Sequence, residues 1–231
     1  MGRRRGGADR QYGRKEEFDE QSRLWSIRGM TEIDRPLRSY TWRCDTKLNQ
    51  YGDSSCVGCG VAHELAARPV EVRNVTYAFA KKIYRRAQKI DRWPGEEPAY
   101  FGTSVLAGMK IIRDMGYIKE FRWAFSLREV LMALSYHGPV VVGLPWYTGM
   151  VEPDSSGYIH PTGVVEGGHC AMLNANDVTE RRVRLFNSYG LSWGPMRGDA
   201  YIHWDDLGRL LEERGEACIP LRRARHKRRV R

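Results

Sequence analysis

The sequence has no long apolar run and only a few cysteines. No stretch of its 231 residues approaches the roughly 20 apolar residues that a membrane-spanning helix needs, so we expect no membrane partner. The basic N-terminus lacks the apolar segment of a secretory signal peptide. Five cysteines without a regular spacing are not typical of a secreted disulfide scaffold. Together these absences predict a cytoplasmic protein.

The positive charge of the chain is concentrated at its two ends. Residues 1–15 contain six basic residues and one acidic residue, and residues 222–231 contain seven basic residues and no acidic one. Because the formal net charge of the whole chain is +10, the body between the ends is close to neutral. Blocks of like charge repel and rarely fold. We therefore predict one domain, 25–221, between a flexible basic arm, 1–24, and a flexible basic tail, 222–231.

Apolar periodicity divides the domain into a helical half and a strand-rich half. Apolar residues three and four positions apart, capping residues, and Gly or Pro stops predict helices at 56–67, 77–90, 104–115 and 126–137. Short apolar runs between turn residues predict strands at 140–145, 170–175, 182–187 and 199–204, before a last helix from 205 to about 214. This segregation predicts an α+β fold of two subdomains. The cleft between them is the expected place for a functional site.

Three separated segments carry a thiol, an imidazole and a carboxamide, in that order. They are 49–56 (NQYGDSSC), 166–173 (EGGHCAML) and 185–194 (LFNSYGLSWG). The thiolate is the nucleophilic form of cysteine, and a helix N-terminus and a nearby imidazolium stabilise it. Cys56 stands where a polar turn meets the first predicted helix, and His169 opens a predicted strand. Asn187 ends another strand, where its side-chain carbonyl could accept a hydrogen bond from the far ring nitrogen and fix the tautomer.

A glutamine completes this set of residues. Gln50 lies six residues before Cys56, and its amide, with the backbone N–H of Cys56, could stabilise an oxyanion. The order Gln–Cys–His–Asn resembles the papain-like cysteine peptidases, which place a glutamine six residues before the nucleophile and the asparagine in an NSWG-type run, here 187–202 (NSYGLSWGPMRGDAYI). The resemblance spans about 43–202, and the chain looks most similar to compact members without a propeptide from bacteria and bacteriophages.

The resemblance implies a papain-like fold, in which a helical N-terminal half packs against an antiparallel β-rich C-terminal half. It also implies hydrolysis of a protein or peptide substrate through an acyl-enzyme, with Cys56 as nucleophile, His169 as base and Asn187 as the group that orients the base. Tyr189 departs from the family, which has a tryptophan over the His–Asn contact. For a phage-encoded member, the expected location is the host cytoplasm or the virion.

Two cysteines compete for the role of nucleophile. Secreted members of the family carry the reactive cysteine second in a Cys-Gly-Ser-Cys-Trp signature. That alignment would select Cys59 and would put Asp53 in the place of the glutamine. Because a carboxylate cannot donate to an oxyanion and repels it, the sequence favours Cys56, with Cys59 as a buried thiol.

A metal site is an alternative reading of the same cysteines. Cys56, Cys59 and His63 fall on one helix face, with Cys44 upstream, and zinc binds such residues. The second C-x-x-C or H-x-x-x-H pair of a typical zinc site is missing, and no strand–helix–strand pattern supports a redox pair. The sequence therefore favours no metal and no cofactor, and it predicts that His63 lies in the core or lines a subsite.

Two further functions stay open at this point. The same residues could transfer the acyl group to an amine or cleave a non-peptide amide, since a fold does not fix the reaction. A non-catalytic protein associated with nucleic acid or a particle would instead use the basic ends. These ends predict a weak, salt-dependent contact with nucleic acid, without base stacking, because few aromatic residues lie among the charges.

Overall fold

The computed structural model describes residues 12–69, 71–93, 95 and 97–221. The helices are α1 (Glu20–Arg23), α2 (Cys56–Ala66), α3 (Tyr77–Gln88), α4 (Val105–Asp114), α5 (Leu127–Tyr136) and α6 (Trp204–Glu212). The strands are β1 (Arg14–Lys15), β2 (Tyr40–Thr41), β3 (Thr103–Ser104), β4 (Glu120–Ala124), β5 (Val140–Tyr147), β6 (Val165–Asp177), β7 (Arg182–Phe186), β8 (Asp199–His203) and β9 (Glu216–Leu221). Within these ranges no helix is long and apolar enough to span a membrane.

A seven-stranded antiparallel sheet forms most of the C-terminal half. Its strand order is β4-β9-β5-β6-β7-β8, and β2 pairs with β6 beside this path. The long hairpin of β5 and β6 runs from the pair Val140–Leu173 to the pair Tyr147–Val165. Strands β1 and β3 form a separate parallel pair. The predicted α+β fold, with a helical N-terminal part and an antiparallel C-terminal sheet, is confirmed.

The sheet separates two hydrophobic cores. Val140 and Val142 of β5 belong to the core that includes α5 and α6, whereas Val141 belongs to the core of α2, α3 and α4. Successive side chains of a strand point to opposite faces. Because both faces are covered, β5 is apolar at its first residues without alternation. Every residue of α2 is buried, so this helix lies between the sheet and the other helices.

Glycine lets α2 approach its neighbours closely. A Cβ atom at Gly58 would lie 2.3 Å from the carbonyl oxygen of Ala80 in α3. A Cβ atom at Gly60 would lie 2.9 Å from the Sγ atom of Cys170 in β6. A side chain at either position would push the helix away from its neighbour. Gly58 therefore sets how close α2 comes to α3, and Gly60 sets how close it comes to β6.

The structure agrees with the predicted helices within a few residues but differs at several strands. The hydroxyls of Ser104 and Ser126 cap α4 and α5, as predicted. The structure starts β6 at Val165, not at 170, because the glycines at 167–168 pair with β5. His169 therefore lies inside a strand rather than at its start. Strands β4 and β9, which pair with each other, are not among the predicted strands.

Residues 12–24, which belong to the predicted N-terminal arm, pack against the domain. Strand β1 pairs with β3, and the Arg14 side chain is only 1% exposed. The prediction of a flexible arm over 1–24 is therefore wrong for residues 12–24, because Arg14 has a buried acidic partner, Glu216, at 2.9 Å. Residues 1–11 and the tail, 222–231, lie outside the described residues.

Candidate active site

Cys56 is the first residue of α2, and its side chain is fully buried. Asp53 fixes the turn before it. The Asp53 carboxylate accepts a hydrogen bond from the backbone N–H of Ser55 at 2.9 Å and pairs with Lys81 at 2.7 Å. The hydroxyls of Ser55 and Tyr77 also donate to this carboxylate. The sulfur thus lies at the N-terminus of an 11-residue helix, where the helix dipole favours a thiolate.

His169 of β6 and Asn187, the residue after β7, are in contact. The Nε2 atom of His169 lies 2.8 Å from the Oδ1 atom of Asn187, and both side chains are buried. Because a carbonyl oxygen only accepts hydrogen bonds, this contact places the proton of a neutral ring on Nε2. The other ring nitrogen, Nδ1, is then the one that can accept a proton. The Tyr189 hydroxyl lies 3.4 Å from Nδ1.

Two aromatic rings enclose the imidazole. The ring of Tyr189 lies 4.9 Å from the His169 ring between centroids. Trp146 of β5 lies 4.5 Å away in an edge-on arrangement and is fully buried. These rings keep water from the His169–Asn187 contact, and a hydrogen bond is stronger where the dielectric constant is low.

The sulfur of Cys56 lies beside the strand that carries His169. Burial raises the pKa of the Cys56 thiol to about 11. Hydrogen bonds with the backbone of Cys170, the residue after His169, and of Gly13 oppose this rise. In this arrangement burial therefore favours the neutral thiol. Access of solvent would remove part of the burial that favours the neutral thiol.

Solved cysteine proteases share this arrangement of helices and sheet over most of the chain. Xylellain, a cysteine protease from Xylella fastidiosa, matches with a TM-score of 0.69 at 14% identity, over 94% of this chain and 98% of that chain. Digestive procathepsin L 3 from the larval midgut of Tenebrio molitor matches with a TM-score of 0.56 at 13% identity, over 93% and 76%. For procathepsin B S9 from Trypanosoma congolense the values are 0.54 and 13%, over 91% and 86%. This is the papain-like fold.

Sequence comparison adds no further relative. Models of protein families do not match the chain, and neither do curated protein sequences. At 13–14% identity the likeness to solved structures establishes the papain-like fold. A fold alone does not fix the activity. The bacteriophage origin stays a prediction.

Gln50 lies at the junction of the two halves of the papain-like fold. Its backbone N–H donates to the carbonyl of Ser188 at 2.8 Å, and its side-chain oxygen accepts from the Ser188 hydroxyl at 2.7 Å. Its side-chain nitrogen donates to the carbonyl of Asp53 at 2.8 Å. These bonds hold the Gln50 amide on the turn that precedes Cys56 and next to the residue that follows Asn187.

Cys59 lies one turn further along α2, in the helical core. Burial raises the pKa of Cys59 far above its usual value, and the nearby sulfur of Cys56 raises it further. Asp53, which would replace the glutamine if Cys59 were the nucleophile, is ion-paired with Lys81. These surroundings favour Cys56 as the nucleophile.

His63 belongs to the structural core, not to a metal site. Its Nε2 atom accepts a hydrogen bond from the backbone N–H of Leu48 at 3.0 Å, and its ring packs edge-on against Phe186 at 4.9 Å. Burial lowers the pKa of His63 to about 3. Across the part of the chain that the structure describes, no group of three or more His, Cys, Asp or Glu residues is placed to hold a metal ion.

Residues 12–15, here called the cleft segment, cross the site between the two halves. On the helical side, the backbone N–H of Thr103 donates to the carbonyl of Gly13 at 2.8 Å. On the sheet side, a Cβ atom at Gly168 would lie 2.3 Å from the carbonyl oxygen of Arg14. The ring of Tyr12 lies edge-on to the His169 ring at 6.2 Å. The candidate nucleophile is therefore covered by the chain's own backbone.

Three features of this site are not predicted from the sequence. Trp146 lies one residue beyond the strand predicted at 140–145, and Glu216 lies between the last predicted helix and the predicted tail, where no element is predicted. The cleft segment reads as part of a basic, disordered arm. In each case the role depends on a contact with a distant part of the chain, as in the Arg14–Glu216 pair. One local signal exists, the glycines at 167–168, which leave room for a second backbone against β6.

Proposed function

We propose that this chain is a cysteine peptidase, which hydrolyses peptide bonds with Cys56, His169, Asn187 and Gln50. The observation that carries the proposal is the 2.8 Å contact between His169 Nε2 and Asn187 Oδ1. This contact turns Nδ1 away from Asn187. His169 belongs to β6, the strand whose next residue, Cys170, contacts the Cys56 thiol through its backbone. A thiol at a helix N-terminus, a base and an acceptor that orients the base form a nucleophilic triad. The papain-like fold, shared with solved cysteine proteases, supports the same conclusion.

The reaction begins when a peptide displaces the cleft segment. The Cys56 thiol gives its proton to Nδ1 of His169, and the resulting thiolate attacks the peptide carbonyl carbon. A C–S bond forms, and the carbonyl π electrons move to the oxygen. The backbone N–H of Cys56 and the amide of Gln50 stabilise this oxyanion. An amide nitrogen carries two N–H groups, so donation to Asp53 and to an oxyanion are compatible.

Collapse of this intermediate releases the first product. The oxyanion electrons re-form the carbonyl, the C–N bond breaks, and the imidazolium of His169 gives its proton to the leaving amine. The remaining thioester is the acyl-enzyme. Water then attacks it while His169 takes up a proton, and the second collapse breaks the C–S bond and restores the thiol. An amine in place of water would give acyl transfer with the same residues.

The test is hydrolysis of an unfolded protein, reduced and carboxymethylated casein, by full-length variants in an Arg14→Ala background that loosens the cleft segment. We expect Cys56→Ala to lose roughly 10⁴-fold or more in rate. The matched variant Cys59→Ala, one turn along the same buried helix, should keep the rate within a few-fold. Activity that survives in Cys56→Ala, or disappears in Cys59→Ala, would overturn the assignment of the nucleophile.

Chemical labelling tests the same thiol without a substrate. In the Arg14→Ala chain we expect iodoacetamide to modify one cysteine rapidly, as seen by intact mass, and this fast step should be absent from Cys56→Ala. Added hydroxylamine separates hydrolysis from acyl transfer, because a transferase gives a hydroxamate in large excess over the acid. The cytoplasmic location and the contact of the basic ends with nucleic acid stay predictions from the sequence.

A further inference from the structure

A buried ion pair lies within the cleft, next to the candidate nucleophile. The Nε atom of Arg14 lies 2.9 Å from the Oε1 atom of Glu216, and the two side chains are 1% and 3% exposed. The Nη2 atom of Arg14 donates to the carbonyl of Arg214 at 3.0 Å, and its Nη1 atom lies 3.6 Å from Glu16. The guanidinium is thus held by one carboxylate at depth and by a carbonyl and a second carboxylate nearer the surface.

The space around this guanidinium is made by glycine. A Cβ atom at Gly143 of β5 would lie 2.7 Å from the Nε atom of Arg14 and 2.9 Å from the Oε1 atom of Glu216. A Cβ atom at Gly168 of β6 would lie 3.1 Å from the Cδ atom of Arg14. Any other residue at Gly143 would intrude on the ion pair. Strands β5, β6 and β9 therefore form a pocket that is wide enough for an arginine side chain. The Glu216 carboxylate lies at its inner end.

This pocket opens beside the reacting atoms. Gly13, the residue before Arg14, hydrogen-bonds through its backbone to the Cys56 thiol. A Cβ atom at Gly13 would also lie 1.9 Å from the carbonyl oxygen of Ser54, so the backbone passes directly over the turn before the nucleophile. A chain that binds in this way places one side chain in the Glu216 pocket and the neighbouring backbone at the sulfur.

The pocket is electrostatically incomplete without a cation. Within the described residues, Arg14 is the ion-pair partner of Glu216. Burial raises the pKa of Glu216 to about 7, and Arg14 opposes this rise. An unpaired buried carboxylate is costly, whereas a buried and hydrogen-bonded pair with a guanidinium offsets the desolvation. Removal of the cleft segment therefore leaves an acidic, arginine-shaped cavity.

We propose that the Glu216 pocket is a specificity site for an arginine side chain of the peptide substrate, and that Arg14 occupies it as an internal competitor. This inference rests on the proposed peptidase function. Arginine is preferred over lysine because its Nε and Nη2 groups reach the Glu216 carboxylate and the Arg214 carbonyl together. Substrate binding requires that Arg14 leave the pocket.

Peptide binding to a non-cleaving chain tests the pocket directly. The probe is the fluorescent peptide Tyr-Gly-Arg-Lys-Glu, taken from residues 12–16, with a matched peptide that carries neutral citrulline in place of arginine. In the full-length Cys56→Ser, Arg14→Ala chain we expect the arginine peptide to bind about tenfold or more tightly than the citrulline peptide. Restoring Arg14 should weaken the binding of both peptides.

Two variants in the strands that line the pocket test whether it gives this preference. Glu216→Gln should abolish the preference for arginine over citrulline. Gly143→Ala should reduce it through a steric effect with the charge unchanged, and it keeps the test available if Glu216→Gln does not fold. The matched control Glu213→Gln, at the end of α6, removes a carboxylate that pairs with Arg209 instead and should leave the preference intact.

The outcomes separate this inference from the proposed function. Equal affinity for the two peptides, or a preference that survives both Glu216→Gln and Gly143→Ala, would show that Arg14–Glu216 is only a structural pair. Binding of this kind does not require turnover. If the chain binds the arginine peptide more tightly than the citrulline peptide but does not cleave peptides when Cys56 is intact, only the peptidase proposal is overturned. A chain that cleaves with no preference for arginine would overturn the pocket alone.

Discussion

The two halves of the molecule supply their parts of the site in different ways. In the helical half, Cys56 is positioned by the start of its own helix and by Asp53, three residues earlier, so the local sequence contains most of the information. In the sheet half, His169 and Asn187 are 18 residues apart and meet because β6 pairs with β7 through Met172–Phe186. The position of the candidate nucleophile depends on local structure, and the position of the candidate base depends on strand register.

The difference has a mechanical consequence. A change in the register of β6 or β7 by one residue would turn a side chain to the opposite face of the sheet, whereas a slightly frayed α2 would still present its first residue. Gln50 and Ser188 connect the halves through two hydrogen bonds, at 2.8 and 2.7 Å. The site is therefore most sensitive at this junction and at the His169–Asn187 contact.

Among the variants that probe this comparison, the largest effect is expected at the junction. Gln50→Ala removes the amide proposed to bind the oxyanion, and we expect kcat to fall roughly 10²- to 10³-fold, with a smaller change in KM. The measurement is steady-state cleavage of an arginine-containing fluorogenic peptide, with thermal unfolding to check the fold.

Ser188→Ala is the control for that variant. It removes the hydroxyl that donates to Gln50 Oε1 and leaves the Gln50 amide in place, so we expect a loss of about tenfold or less. A loss as large as that of Gln50→Ala would mean that Gln50 serves to join the halves rather than to stabilise an oxyanion.

The second prediction concerns the contact between His169 and Asn187 in the sheet half. Asn187→Ala removes the acceptor at 2.8 Å from His169 Nε2 and frees the ring to rotate, so we expect kcat to fall about 10²-fold. Asn187→Asp restores an acceptor at the same place and should recover part of the rate. The pH dependence of kcat should also change in Asn187→Ala, because the environment of the imidazole changes.

A buried asparagine elsewhere in the sheet provides the matched control. Asn174 of β6 accepts from Arg184 at 2.9 Å and donates to the Trp42 carbonyl at 3.2 Å, away from the site. Asn174→Ala should lower the free energy of unfolding by about 1–3 kcal/mol and leave kcat unchanged. If it lowers kcat as much as Asn187→Ala, the effect comes from the sheet as a whole and not from orientation of His169.

The same contrast explains how far the sequence predicts the structure. The helices are predicted well because their signals are local, as with the capping hydroxyls of Ser104 and Ser126. Strand β5 is recognisable as an apolar run from Val140. Strands β4 and β9 are not among the predicted strands, although β4 (EFRWA) alternates and β9 (EACIPL) is mostly apolar. Short runs of this kind are ambiguous by themselves, and these two strands are defined by their pairing with each other along Glu120–Leu221 to Ala124–Ala217.

The candidate site follows the same rule. Cys56, His169, Asn187 and Gln50 stand in short segments whose residue types suggest their chemistry. The role of Glu216 arises only from a contact with Arg14, 202 residues away, and the role of Trp146 only from the pairing of β5 with β6. The basic composition of the N-terminus also predicts a solvated Arg14, because burial of an arginine is unfavourable without a buried partner. That partner, Glu216, lies far away in the sequence.

The third prediction concerns stability, and it rests on the buried histidine of α2. His63 is fully buried, and burial, with a smaller contribution from the charge of Lys47, lowers its pKa from 6.5 to about 3. Between pH 6.5 and about 3 the unfolded chain therefore takes up a proton that the folded chain does not. The free energy of unfolding should fall with decreasing pH in this window, by up to about 1.4 kcal/mol per pH unit from this group.

Urea unfolding at pH 7, 6, 5 and 4 of the wild type and of His63→Gln isolates this contribution. Glutamine can still accept the hydrogen bond from Leu48 N–H but does not titrate, so the stability advantage of the wild type should shrink steadily below pH 6.5. Parallel pH profiles for the wild type and His63→Gln would contradict the burial of a neutral His63, and would place the acid sensitivity of the fold in its carboxylates instead.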